Sequence, residues 1–282
     1  MNPRLKCALK LLCALVIAAL SFTAGRAAGI YLLRRLFETL NLTARTYAYA
    51  RAWMRYLWDN ANGLVLLCGG LTLFCALLFV RDMFPAAGRV FRIKWLLLPF
   101  AAATLGYFAV RLLEDTDIVR RAGSFPSAGA LEYVLLFVIV TDVCLLSYEV
   151  TFEAVRGGFG KAAAYAAPAV LFTLLRSADA LLTGEYFAYA LLGILNGMLA
   201  LALGAYLYDT QRSIYPPLLT AFGFTAGHRY LAGFPDYGAF AVNPGVLTGD
   251  SGGLNSSAAL TLMLLGACAL VFISVKRNKP NG

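Results

Sequence analysis

The residues best placed to do chemistry in this 282-residue chain are charged groups inside otherwise apolar runs. They are Asp142, Glu149 and Glu153 followed by Arg156, and then Arg176 with Asp179. An ionisable side chain at membrane depth costs several kcal/mol unless it faces a partner or a wet cavity. At 3.6 residues per turn, steps of seven, four and three put positions 142, 149, 153 and 156 within roughly 60° of one another, a single polar stripe. Arg176 and Asp179, three apart, share a face of the next helix. Two chemistries fit this pattern. Glu149 and Glu153 form paired carboxylates of an acid/base or metal site, their proton affinities separated by burial and mutual repulsion. Alternatively, Arg156 and Arg176 neutralise them in an ion-pair seam between two helices. Three carboxylates against two guanidiniums leave at most one acid over, which favours the seam.

Other catalytic constellations are missing from the sequence. Catalytic zinc commonly takes His, Glu or Cys ligands, and the chain has one histidine, His228, beside Arg229 near the end of an apolar run. No site with two histidines can be built, and the reading assigns no metal ligand and no cofactor. There is no G-x-S-x-G and no Cys placed with a His, and Gly157-Gly158-Phe159-Gly160-Lys161 has the wrong spacing for a phosphate-binding loop and reads as a turn. The cysteines, Cys7, Cys13, Cys68, Cys75, Cys144 and Cys268, lie in apolar runs without a C-x-x-C pair and read as buried thiols.

The elements that must hold these groups follow from composition. Hydrophobic residues make up 60% of the chain and charged residues 14%, and the mean hydropathy is +0.71. Too few polar residues remain to cover a soluble core, so a water-soluble globule, a disordered chain and a collagen-like repeat are all excluded. A crossing needs about 20 apolar residues, which permits at most about eight to ten helices and no large soluble domain. The net charge of +9 comes from 24 Lys and Arg scattered over helix ends instead of one stripe. That distribution points to anionic lipid headgroups and away from nucleic acid.

Eight spans are expected, at 5–24, 63–80, 95–113, 131–152, 162–182, 186–208, 215–231 and 257–275. The first ends in small residues around Gly25-Arg26-Ala27-Ala28, as an anchor or a cleaved signal peptide would. Between it and the second, Arg34, Arg35, Arg45, Arg51 and Arg55 alternate with Tyr47, Tyr49, Trp53, Tyr56 and Trp58. Arginine with Tyr and Trp is the composition of helices at headgroup level, so 30–60 reads as interfacial and amphipathic, with a solvated loop as the plainer alternative. The chain thus divides into an N-terminal anchor (1–29), the interfacial segment (30–60), two spans with loops (61–130), a transmembrane core (131–275) and a basic tail (276–282). With the N-terminus inside, cytoplasmic segments hold thirteen of the 24 Lys and Arg. Six of the remaining eleven are Arg26 and the five interfacial arginines, so both termini are expected in the cytoplasm. Sequons at Asn41-Leu42-Thr43 and Asn255-Ser256-Ser257 decide nothing about compartment.

From Tyr148 to Thr225 the order of features resembles the CAAX protease and bacteriocin-processing (CPBP, or Abi) family of intramembrane peptidases. Three stretches carry it. Glu153-Ala154-Val155-Arg156-Gly157 resembles the tail of the family's E-E-x-x-x-R motif. Ala167 to Arg176 is similar to the helix bearing F-x-x-x-H, and 196–219, through Tyr208-Asp209-Thr210-Gln211-Arg212-Ser213-Ile214-Tyr215-Pro216-Pro217, to the lead into H-x-x-x-N. A weaker echo lies at Asn243 to Gly249. The resemblance implies a bundle of about eight helices and, with motif glutamates and histidines, zinc-dependent peptide hydrolysis. In this sequence Thr151 and Phe152 occupy the two glutamate positions, Arg176 a histidine position beside Phe172, and Thr220 and Phe224 the last His and Asn. An arginine at a metal-binding position places a fixed cation there, which a carboxylate can pair bidentately. The expected pair is Glu153, with or without Glu149, on Arg176, in a cavity bordered by Asp142, Arg156, Asp179 and Thr220.

The reading is therefore an all-α polytopic inner-membrane bundle of about eight helices plus an interfacial segment. It is a degenerate CPBP-type protein that binds or scaffolds a membrane protein or peptide substrate. Its rivals are an active intramembrane protease using Glu149 and Glu153, helped by His228, and a small-solute or lipid transporter. A transporter calls for internal repeats, and no convincing one links the two halves.

Overall fold

The computed structural model describes residues 2–44, 47–84, 91–113, 119–120, 130–183, 187–227, 240–241 and 257–277. The backbone alone is described at 3, 44, 48, 106–113, 119–120, 130, 174–183, 187–190, 240–241, 267 and 270–277. The helices are α1 (Pro3–Ala44), α2 (Ala48–Asp59), α3 (Ala61–Val80), α4 (Lys94–Leu113), α5 (Ala130–Cys144), α6 (Glu153–Phe159), α7 (Lys161–Thr183), α8 (Phe187–Gln211), α9 (Tyr215–Ala226) and α10 (Ala258–Arg277). A short turn of 3₁₀ helix, Arg81–Met83, follows α3, and a π-helical segment, Leu145–Phe152, joins α5 to α6. The expected all-α architecture needs one amendment: Val119–Arg120 and Phe240–Ala241 form a two-residue antiparallel pair, Val119 opposite Ala241.

Among the described residues four helical stretches are long and apolar enough to cross a membrane: Arg4–Thr43, Ala61–Met83, Leu131–Phe159 and Leu191–Gln211. Their outer faces carry large exposed apolar side chains such as Leu20, Phe79, Val134 and Leu195, a surface suited to hydrocarbon and not to water. Cys13 and Cys75 are on that exposed surface, not buried as expected, and of the six free thiols Cys144 alone is fully buried. In a helix bathed by lipid an apolar position carries no inward preference, so hydrophobicity does not say which thiols face the interior.

The first span does not stop near Ala24. α1 runs unbroken to Ala44, and Gly25, the first of the small residues read as its end, is buried in its packing surface. Gly25 and Gly29, a G-x-x-x-G pair, lie against Cys68, Thr72 and Val65 of α3, where a Cβ at either glycine would collide with its neighbours. The Thr72 hydroxyl donates to the Ser21 carbonyl across the same contact, at 3.0 Å. Consequently the segment 30–60 is divided between two helices. Its first half continues α1, and its second half is α2, folded back with Trp58 packed edge-on against Phe37. A second G-x-x-x-G pair, Gly223 and Gly227 on α9, lets that helix sit on the Leu96 and Phe100 backbone of α4.

The helix from Leu131 to Phe159 is the axis of the bundle: 56% of its apolar window is buried, against 11% for α1 and 22% for α3. Leu145, Tyr148, Val150 and Phe152 of the π segment anchor a core with Ala14 and Ala18 of α1, Leu77 of α3, Ala164 of α7, Ala205 and Tyr208 of α8, and Leu218 of α9. A π-helical stretch shifts the phase of everything beyond it. The residues of the expected stripe meet different neighbours along its length. Asp142 lies against Gly70 of α3, whereas Glu149 reaches the turn after α3 and Glu153 reaches the end of α8. The Gly157–Lys161 turn is also shorter than read, since 157–159 complete α6 and Gly160 alone reverses the chain.

Gly25→Val should force α1 from α3 and cost about 1–3 kcal/mol, the range for overpacking. Thermal unfolding of the purified protein in detergent measures it, with the exposed Leu20→Val as the control that leaves the melting temperature unchanged.

Candidate functional site

Charged residues from five places converge at one end of the bundle, and local backbone features deliver each of them. The π segment and α6 bring Glu149, Glu153 and Arg156. Gly160 adopts φ 90°, a region that L side chains rarely enter, which ends α6 and starts α7 at Lys161. Tyr208 and Asp209 close α8, and Arg212 takes a left-handed φ of 48° in the turn before α9, which opens with Pro216 and Pro217. Arg81 comes from the 3₁₀ turn after α3.

Asp209 is the centre. It accepts from Arg156 Nη1 at 3.0 Å and from the Tyr165 hydroxyl at 2.8 Å, and pairs with Lys161 Nζ at 2.6 Å. Arg212 Nη2 stands 3.9 Å away. Glu153 pairs with Arg212 Nη1 at 3.4 Å and with Arg156 at 4.0 Å, and the Tyr208 hydroxyl faces it. Glu149 pairs with Arg81 Nη1 at 3.7 Å. The three carboxylates are buried, 5–9% exposed, whereas Lys161 and Arg212 are more than half exposed. The cations thus cap an inner acidic layer from the outside. Below it, Tyr148 stacks on Tyr208 with ring centres 6.0 Å apart, and Phe152 meets Tyr208 and Tyr165 edge-on. Gly204 makes room for this floor, because a Cβ there would overlap the Tyr148 hydroxyl, which donates to the Leu201 carbonyl.

The residues singled out from the sequence are distributed as follows. Glu149, Glu153 and Arg156 belong to the cluster. Asp142 is buried two turns deeper, and its Oδ1 has no hydrogen-bond partner among the described residues. Thr220 is on α9 with its hydroxyl likewise unpartnered among the described residues. The side chains of Arg176 and Asp179, and all of His228, lie outside the described residues, so the Glu153–Arg176 pair does too. The partners that Glu153 and Glu149 do show are Arg156, Arg212 and Arg81.

Asp209, Lys161, Tyr165, Arg212 and Arg81 were not read as site residues. One signal was available: Asp209 is the sole charged residue of α8. The others stand near span ends, where Lys and Arg carry topology information and do not advertise a partner. A separate polar contact joins α8 to α10, with Asn196 donating to the Ser257 carbonyl at 2.9 Å and accepting from Thr261 at 2.7 Å.

Chemically, the cluster is a set of carboxylates already engaged by permanent cations. Arginine stays protonated at physiological pH, so each of these acids has a fixed positive charge beside it. The zinc that the family resemblance implies does not fit this donor set, whose carboxylates face arginine and lysine. Among the described residues no group of three or more His, Cys, Asp or Glu could hold a metal ion. Comparison with protein-family models, curated proteins and solved structures gives no match to the chain.

Asp209→Asn keeps the shape but leaves Arg156 and Lys161 facing a neutral amide. Removing one partner of a buried pair costs about 3–5 kcal/mol, and the exposure of these cations reduces that to about 2 kcal/mol. The expected result is a lower melting temperature in detergent. Lys161→Met should cost less than Arg156→Met, because Lys161 is the more exposed partner.

Proposed function

We propose that this chain is a polytopic inner-membrane protein with a CPBP-type core that holds or scaffolds a membrane protein or peptide and does not cut it. The observation that carries the reading is the pairing of all three cluster carboxylates with cations, led by Asp209 with Arg156 and Lys161. A hydrolytic centre needs a carboxylate free to accept a proton from water. Here each acid is committed to a salt bridge that ties one helix to another, which makes the cluster a clamp.

Eight crossings, with both termini cytoplasmic, are part of the proposal: α1, α3, α4, α5 with α6, α7, α8, α9 and α10. Contacts at the clamp end support the alternation. Lys10 donates to the Met83 carbonyl after α3, and Cys7 near the start of α1 lies against Gly157 and Gly158 of α6. The α6–α7 and α8–α9 turns meet there through Arg156, Lys161 and Asp209. This end also gathers Arg4, Lys6, Arg81 and Arg212, so the positive-inside rule assigns it to the cytoplasm. Anionic lipid of the inner leaflet is the expected neighbour of its exposed cations.

Purified protein should carry no stoichiometric zinc and leave a single-span substrate peptide uncut in proteoliposomes. Glu153→Gln should lower the melting temperature instead of altering a turnover. Stoichiometric zinc, or cleavage that Glu153→Gln abolishes while the fold is retained, would replace this reading with the protease.

A further inference from the structure

The part of the molecule least explained by a bundle is the hairpin made by the outer end of α1 and by α2. α1 is 42 residues long, about 63 Å, roughly twice the hydrocarbon thickness. Gly29 faces Val65, four residues inside the start of α3 at Ala61, so the last turns of α1 run on past α3 and meet α2 where Phe37 packs on Trp58. On this hairpin Tyr31, Leu36, Leu42, Tyr49, Trp53 and Trp58 are all exposed, Trp58 by 75%. A soluble projection would not keep such a surface bare.

Charge says what covers it. The segment from Arg26 to Asp59 holds six arginines against Glu38 and Asp59. Glu38 is already shared by Arg34 at 3.3 Å and Arg35 at 3.1 Å, leaving a cationic surplus among exposed aromatic rings. Between the arms is an open cleft of about 870 Å³ lined by Arg34, Asn41, Arg55 and Trp58 and also by Glu38 and Asp59, so the positive surplus belongs to the hairpin as a whole and the cleft supplies the donors. Two guanidiniums, an amide and an indole suit an ester phosphate with glycerol beside it. A water-facing partner protein would not require the tyrosine and tryptophan belt, which is the composition of the headgroup layer.

Geometry permits the contact. A tilt of about 40°, at the upper end of the observed range, stretches the crossing to about 26 residues. Counted from Lys10, which marks the level of the end of α3, such a crossing ends near Leu36, with Arg34 in its last turn, where the long side chain extends up to the headgroups. Positions 37–44 and α2 are then at the headgroups.

We propose that the α1–α2 hairpin lies in the outer headgroup layer and that its cleft binds the phosphate of an anionic phospholipid through Arg34 and Arg55, with Trp58 against the glycerol backbone. This inference does not depend on whether the clamp is catalytic.

The test uses full-length protein carrying Trp53→Phe and Trp95→Phe, so that Trp58 is the single reporter. It is reconstituted into phosphatidylcholine vesicles alone or with an equal part of phosphatidylglycerol. Acyl-brominated phosphatidylglycerol should quench Trp58 more strongly than acyl-brominated phosphatidylcholine at the same content. At about fivefold per arginine, Arg34→Gln with Arg55→Gln should weaken phosphatidylglycerol retention about thirtyfold, and each single change about fivefold. Arg34→Lys with Arg55→Lys, which preserves charge, should retain most of it, and an unchanged melting temperature confirms that the glutamine variants fold. Equal quenching by the two lipids, or retention unmoved by the double glutamine change, overturns the headgroup site. Trp58 quenched by aqueous iodide, or shielded only when a second copy cross-links to it, overturns the membrane position.

Discussion

Asp209 meeting Arg156 and Lys161 is the interaction on which the arrangement of the bundle's end depends. A carboxylate that is 5% exposed cannot stand without counter-charge, and those two cations come from α6 and from the first residue of α7. The turn at Gly160 exists in a form that points both of them at the last turn of α8. Glu153, one helical turn before Arg156, is then drawn to Arg212 on the far side of the same acid. Three consecutive helices, α6 to α8, and the turn into α9 are thereby registered by charge at one level.

Apolar packing does the complementary work at depth. Without a hydrophobic driving force between helices in lipid, close approach has to come from small residues and from shape. Gly25 and Gly29 supply it for α1 against α3, Gly223 and Gly227 for α9 against α4, and Gly204 for the stacked tyrosines beneath the clamp. The π segment links the two regimes. It buries seven consecutive-to-near residues, including Glu149, Tyr148 and Phe152, on all sides of the axis, which a regular helix with one polar face would not do.

The bundle therefore has a rigid, charge-locked end and a protruding aromatic end joined by α1. The first matches a scaffold whose helices do not need to separate. The second, in the membrane position proposed for it, presents its chemistry to the layer where lipid phosphates are found. Both follow from the same restriction, that charge in or near hydrocarbon must be matched by charge.

Much of the architecture was legible in the sequence because it follows from hydropathy. The α4, α7, α8 and α10 boundaries agree within three residues with the apolar runs, and 14% charge is enough to require a bilayer-compatible surface. Glu149, Glu153 and Arg156 were legible as cluster residues because charge inside an apolar run is costly wherever it occurs. What the sequence could not decide was partner and phase. Gly25 to Ala28 reads equally as a helix end and as a packing surface, since a glycine becomes a contact only when another helix lies on it. The π segment leaves no mark in a 3.6-residue pattern, yet it turns Asp142, Glu149 and Glu153 to three different neighbours. Asp209, Lys161 and Arg212 are ordinary end-of-span charges until three turns meet, because electrostatic pairing is set by distances of a few ångströms that only the tertiary structure fixes.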